Sequence, residues 1–334
     1  MTGATPMIRA LSMVLPVLAL TVIVFGAYVR LSDAGLGCPD WPGCYGRLAV
    51  PAAEQDIHLD DPAWVSRPLE TGKAWREMIH RYLASVLGLG IVVLAVLVWR
   101  RQDVAACRPV VYALVPLVMF QGALGMWTVT LLLKPLVVSA HLLGGLATLA
   151  LLWWNLLCVS ARQPAPAVLP NLHRAAVLAL AVLVAQIFLG GWTSANYAAL
   201  ACTDFPTCHD LWWPQMDFGE AFVLWRGLGI NYEFGVLDTP ARTAIHVTHR
   251  LGAVVTSLVV GATAIHALRS PIARVHRMGW CILAALLGQL ILGLSNVLGG
   301  LPLPVAVAHN AGASVLLLTL VTLIHFSRRI RSID

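Results

Sequence analysis

The sequence predicts an all-α integral membrane protein: eight transmembrane helices arranged as two tandem four-helix bundles related by a pseudo-two-fold axis along the membrane normal. Three observations predict it. Of 334 residues, 59% are hydrophobic and only 11% are charged, against the quarter charged that is usual in soluble domains. The apolar residues gather into eight runs of about 20, the length that crosses a bilayer as helix. Chemically distinctive residues also recur at nearly constant offsets, so one unit is used twice.

The first run, Ile8 to Val29, is longer than a secretory-signal core and is preceded by a single Arg. Phe25-Gly26-Ala27-Tyr28 gives no small-residue cleavage site, so the run reads as the first span. An outer loop, Leu31 to Ala74, follows it. There, glycines and prolines surround Cys38 and Cys44 in Gly35-Leu36-Gly37-Cys38-Pro39-Asp40-Trp41-Pro42-Gly43-Cys44-Tyr45-Gly46.

The second span, Trp75 to Trp99, opens with Glu77-Met78-Ile79-His80-Arg81. On a helix Glu77 and His80 share a face, and Arg81 lies one turn beyond Glu77. Ionisable groups entering hydrocarbon are costly and line a bundle interior or a cavity, which makes this cluster a functional-site hypothesis. A competing reading has a Glu77/Arg81 ion pair capping the helix, with His80 at the interface.

Pro109 to Thr130 and Leu136 to Ser160 complete the first unit. The inner stretch Ala161 to His173, where Gln163-Pro164-Ala165-Pro166 stops a helix, is the expected linker. It divides the chain into residues 1–163 and 164–334. The second unit comprises Arg174 to Tyr197, Arg242 to Leu268, Met278 to Val297 and Leu303 to Phe326.

The register between the units is close. Cys202 and Cys208 follow Cys38 and Cys44 by 202 − 38 = 164 and 208 − 44 = 164. His249-Arg250 matches His80-Arg81 at 249 − 80 = 169, and Gln289 and His309 match Gln121 and His141, both at 168. An even number of spans separates equivalent positions, so the repeats are parallel rather than inverted.

Orientation follows from the positive-inside rule. With both termini cytoplasmic, Arg9, Arg100, Arg101, Arg108, Arg162, Arg174, Arg269, Arg274, Arg277, Arg328, Arg329 and Arg331 all fall inside, whereas Asp103 and Asp334 are the only acidic residues there. Topology thus accounts for the net charge of +6, and no nucleic-acid partner is needed.

Both C-x5-C pairs fall in outer loops, where disulfides persist. Intraloop disulfides Cys38–Cys44 and Cys202–Cys208 are the favoured reading. A zinc site built from four cysteines and His209 would require the loops to meet at an uncommon spacing, and electron uptake by the first pair is a further alternative. Cys107, Cys158 and Cys281 lie toward the cytoplasm.

Four of the eleven histidines, His80, His141, His249 and His309, open the second, fourth, sixth and eighth spans. In a four-helix unit these alternate helices face each other across the bundle, so each pair of imidazoles suits the two axial positions of an iron porphyrin. Gly144, Gly145, Gly252 and Gly312 follow the histidines closely and would let a flat macrocycle approach the backbone. They also suit ordinary helix packing in membranes. Arg81 and Arg250 are expected to meet heme propionates or, alternatively, lipid headgroups. His246 stands where the first unit has Glu77 and receives no role. His58, His209, His173, His266, His276 and His325 read as interfacial or solvated.

Taken together, eight spans in two repeats, the first cysteine loop, Glu77-x-x-His80-Arg81 and single histidines at the starts of the fourth and eighth spans resemble the heme A synthase family over nearly the whole chain. The resemblance implies oxidation of the C8 methyl of heme O to the formyl group of heme A for terminal oxidases. His80 and His141 would hold the substrate heme O, and His249 and His309 the cofactor heme b. Glu77 would be the essential carboxylate and Cys38–Cys44 the outer-loop disulfide. The setting it implies is a bacterial-type inner membrane, with membrane lipid around the chain. A complex with heme O synthase or an oxidase assembly factor, and a homo-oligomer, are compatible with it, and no electron acceptor is named. Two rivals share the paired histidines. A di-heme b-type electron carrier leaves Glu77 in one unit unexplained, and a heme or metal transporter requires a polar inner path that these spans lack.

Overall fold

A computed structural model describes residues 5–53, 57, 68–99, 101, 107–160 and 169–327. His58, the division between residues 163 and 164, and Arg100, Arg162, Arg328, Arg329, Arg331, Asp103 and Asp334 lie outside the described residues.

The described residues form nine helices: α1 (Pro6–Leu31), α2 (Thr71–Val98), α3 (Arg108–Thr130), α4 (Pro135–Ser160), α5 (Pro170–Ala195), α6 (Phe218–Ala221), α7 (Thr239–Leu268), α8 (Ala273–Leu298) and α9 (Leu303–Ser327). All except the four-residue α6 are long and apolar enough to cross a membrane. A helix satisfies its own backbone groups, which hydrocarbon cannot do, so apolar runs of this length have little alternative.

Most helices begin earlier than the apolar runs: α2 at Thr71 rather than Trp75, α5 at Pro170 rather than Arg174, α8 at Ala273 rather than Met278. Hydropathy marks the hydrocarbon-embedded part, whereas the backbone continues as helix through the headgroup zone. Prolines stand in the first helical positions of α1, α3, α5 and α7, where their missing N–H is not needed. Pro16 and Pro116 sit inside α1 and α3, as membrane helices tolerate.

Packing neighbours define two rings. In the first half α1 packs on α2, α2 on α3, α3 on α4 and α4 back on α1; in the second, α5, α7, α8 and α9 repeat that order. Consequently α2 lies diagonally across from α4, and α7 from α9. Each ring has its own apolar core, one around Leu15, Ile91, Leu114 and Leu149 and the other around Ile187, Val260, Ile282 and Leu320.

Between the rings, α4 meets α5, α9 meets α1, and α4 meets α9. The first two contacts become each other when the halves are exchanged, and the third maps onto itself. Residues separated by the repeat offset touch directly: Arg30 donates to the Ser194 carbonyl at 2.6 Å, and the Tyr197 hydroxyl donates to the Asp33 carboxylate at 3.2 Å. A residue can touch its own repeat-equivalent only near a symmetry axis, so the arrangement is consistent with the expected pseudo-two-fold relation.

Candidate functional site

The two outer loops are built on one plan. Cys38–Cys44 and Cys202–Cys208 are disulfides, each with S–S 2.01 Å. Asp40 accepts the amides of Tyr45 and Gly46 at 2.6 and 2.9 Å, and Asp204 accepts those of His209 and Asp210 at 2.8 and 3.1 Å. The residues after the second cysteine turn through the left-handed region in both loops: Tyr45 and Gly46 at φ 54° and 72°, His209 and Asp210 at 56° and 59°. The Thr207 hydroxyl, donating at 2.6 Å, and the two amides hold the Asp204 carboxyl well below the usual carboxylate range. All four loop cysteines are taken up in disulfides, and among the described residues no group of three or more His, Cys, Asp or Glu could hold a metal ion. The zinc alternative finds no support.

Each loop is tied to the helix that carries a predicted histidine. The Arg81 guanidinium donates to the carbonyls of Asp40, Pro42 and Gly43 at 3.0, 3.2 and 2.5 Å. Arg250 donates to those of Cys202, Asp204 and Thr207 at 3.0, 2.8 and 2.8 Å. Both arginines thus clamp a disulfide loop over the outer end of a bundle, a role that their spacing from the histidines did not disclose.

Glu77 and His246 complete this clamp. Glu77, 5% exposed, pairs with Arg81 at 2.5 Å and accepts the backbone N–H of Cys38 at 2.9 Å. His246, 4% exposed, lies 3.4 Å from the N–H of Cys202, and its Nδ1 is 3.0 Å from the Ala198 carbonyl. An acid in one half and an imidazole in the other therefore reach the same point, the backbone N–H of the first loop cysteine. The sequence placed them at equivalent positions but left His246 without a role.

The four predicted histidines form two pairs across the diagonals. His80 stands on α2 and His141 on α4, and His249 stands on α7 and His309 on α9, which are the diagonal partners of the two rings. Each ring rests on a glycine of the preceding long helix, in the order Gly26, Gly125, Gly190 and Gly293. A Cβ there would approach the imidazole Cε1 to 2.7, 3.5, 3.3 and 3.3 Å respectively. At Gly26 that is closer than carbon atoms come, and at Gly190 and Gly293 the ring would have to give way.

The space over Gly144, Gly252 and Gly312 is filled by the side chains of Gln121, Gln186 and Gln289. The expectation that a macrocycle uses these glycines is thus corrected: they house amides beside the histidines. Gln186 Nε2 is 3.1 Å from Nδ1 of His249 and donates to the His249 carbonyl at 3.0 Å. In the His80 pocket the +3 position is Leu83, and no glutamine fills it.

The donor set fits a porphyrin. Nδ1 of His80, His141 and His309 and amide atoms of Gln121, Gln186 and Gln289 are buried without a protein partner, which is expensive unless a ligand or a bound group compensates. Two nitrogen donors per pocket suffice for an iron whose other four ligands come from the ring. A surface concavity of about 410 Å³ around Val96, Leu97, Trp99 and Arg101 is at the far end of α2 and away from this chemistry.

Comparison with known proteins gives a consistent picture. Residues 9–321 match the COX15-CtaA family, described as cytochrome oxidase assembly protein. The chain is 44% identical over 312 residues to a heme A synthase of Shewanella oneidensis, covering 93% of each. It is 29% identical to a heme A synthase of Rhizorhabdus wittichii, over 91% of this chain and 89% of the relative. With one of Paracoccus denitrificans it shares 26% identity over 98% of this chain and 89% of the relative.

Proposed function

Because the chain belongs to the COX15-CtaA family of cytochrome oxidase assembly proteins, we propose that it is a heme A synthase, an oxidoreductase that converts the C8 methyl of heme O into the formyl group of heme A. One observation carries the division of labour: two like histidine pairs lie beneath two like disulfide loops, yet only the first has a carboxylate, Glu77, at the loop anchor. Residues 1–163 are assigned the substrate heme O, held by His80 and His141. Residues 164–334 are assigned heme b, held by His249 and His309, which supplies electron transfer when bound.

The methyl passes through an alcohol and a hydrated aldehyde before water leaves to give the formyl group. Each of the first two stages adds the oxygen of one water to the carbon and releases two protons and two electrons, the electrons leaving to an external oxidant. Glu77 sits one helical turn before His80 and serves as the proton acceptor that also orients water at the reacting carbon. Arg81 holds Glu77 and the loop together, so closure of the outer loop and placement of the carboxylate are one event. Residual donors of Arg81 and Arg250 remain the assignment for the heme propionates, and Arg250 Nε, buried and unpartnered, supports it. The same reading assigns the chain to an inner membrane with both termini cytoplasmic, supported by the excess of arginine on one side.

Coexpression with heme O synthase in a host lacking heme A tests the proposal, with extracted hemes identified by chromatography and mass. Heme A and the alcohol are expected. Unchanged heme O in a folded, heme-containing preparation would overturn the reading in favour of an electron carrier.

A further inference from the structure

The first bundle carries a groove of about 290 Å³ between α3 and α4. Leu124 and Trp127 of α3, with Leu131 just past its end, form one wall, and Leu136, Val137 and Ala140 of α4 the other. Trp225, from the outer loop of the second half, covers it. That cover is fixed to the first half: Lys134, 2% exposed, donates to the carbonyls of Arg226 and Gly227 at 2.7 and 2.8 Å and places Nζ 3.7 Å from the Trp225 ring centre. Tyr232 extends the same attachment by donating its N–H to the Leu132 carbonyl at 3.0 Å.

Two features tie this groove to the porphyrin site. Ala140 directly precedes His141, and Leu124 directly precedes Gly125, on which the His141 ring rests. Successive residues of a helix point about 100° apart, so the groove lies on the flank of the same two helices that carry His141 and its glycine. The second feature is a difference between the repeats. At the repeat offset of 168, Trp127 and Leu131 become Ser295 and Gly299, and Leu136 becomes Pro304. Leu124, Val137 and Ala140 recur as Leu292, Val305 and Ala308, so what the first half alone carries is the bulk of Trp127, Leu131 and Leu136.

We propose that this groove receives the isoprenoid chain of the substrate. Heme O bears a hydroxyethylfarnesyl chain where heme b has a two-carbon vinyl group, so a heme O pocket needs a long apolar annex and a heme b pocket does not. The lining, hydrocarbon and indole throughout, matches such a chain, whose transfer from water or headgroups into it is favourable. This inference rests on the assignment of heme O to the first bundle.

The test uses the full-length protein in nanodiscs and heme O carrying a diazirine at the end of its farnesyl chain. Photolysis followed by peptide mass spectrometry is expected to label the 124–140 segment and the segment containing Trp225. Unlabelled heme O should compete the signal away, whereas heme b should not. Probe that is bound and converted but labels only lipid or the second half would overturn the groove and leave the enzyme assignment standing. Probe that neither binds nor is converted would overturn both.

Groove-filling variants give an independent readout. Leu131→Trp and Ala140→Phe are each expected to weaken heme O binding on the order of tenfold or more, while the heme b content of the second bundle reports intact folding. Unchanged heme O affinity in both variants, with the heme b content retained, would contradict the proposal.

Discussion

At Glu77 a single carboxylate serves both loop and chemistry, and the two contributions separate by choice of substitution. Glu77→Gln keeps an oxygen for the Cys38 N–H and removes the proton acceptor, so conversion of heme O is expected to fall about 10²–10⁴-fold with heme binding retained. Full conversion by this variant would remove the catalytic assignment. Glu77→Ala also strands Arg81 in a buried site. Breaking a buried pair in this way costs about 3–5 kcal/mol, and it should appear as a lowered thermal midpoint that Glu77→Gln shows less. In the second half, Gln186→Leu removes the amide beside His249 Nδ1. Lost support of this kind weakens metal binding about 10–100-fold, to be read by heme titration and by the electron paramagnetic resonance of the retained heme. The histidines and Glu77 were legible in the sequence because ionisable groups in apolar runs stand out. Their glycine and glutamine partners were not assigned to them, since Gly26 and Gly190 sit in other helices and reach the rings only after the bundle closes.

At the scale of the element, the two cysteine loops show how a short motif acquires its role. The common spacing of their cysteines was readable, and so was the pairing. The anchoring was not, because Cys38 meets Glu77 across 39 residues and Cys202 meets His246 across 44. The Asp204 carboxyl is held below its ordinary value of about 3.9, chiefly by the Thr207 hydroxyl. A depressed carboxylate stabilises the loop above the unfolded value and loses that contribution as pH falls through the folded one. Reduction of Cys202–Cys208 by a water-soluble phosphine, taken relative to an Asp204→Asn variant, is therefore expected to be flat above pH 5 and to accelerate below about pH 4. An unchanged ratio down to pH 2 would contradict the role given to Asp204. Among the described residues the helix missed is α6, only four residues long, but it carried a signal: Asp217 accepts the N–H of Glu220 at 2.9 Å, in the spacing of a capping box.

For the whole molecule, composition and periodicity were sufficient to give eight spans, since hydrocarbon leaves a backbone few choices. Where the outer loop of the second half would lie was beyond reach, because Lys134 and Trp225 lie far apart in sequence and meet only through tertiary packing. The charge distribution predicts that both termini are cytoplasmic. A fluorescent protein fused after Asp334 should accordingly fold and fluoresce, while alkaline phosphatase fused there should be inactive; the opposite pattern would invert the topology. The division between a reacting half and a supporting half is tested most directly by extracting hemes from two double variants coexpressed with heme O synthase. His80→Ala/His141→Ala is expected to keep heme b and to form neither the alcohol nor heme A, whereas His249→Ala/His309→Ala should lose heme b. Heme A formed by the first variant, or heme b lost from it while the second variant keeps its own, would contradict that division.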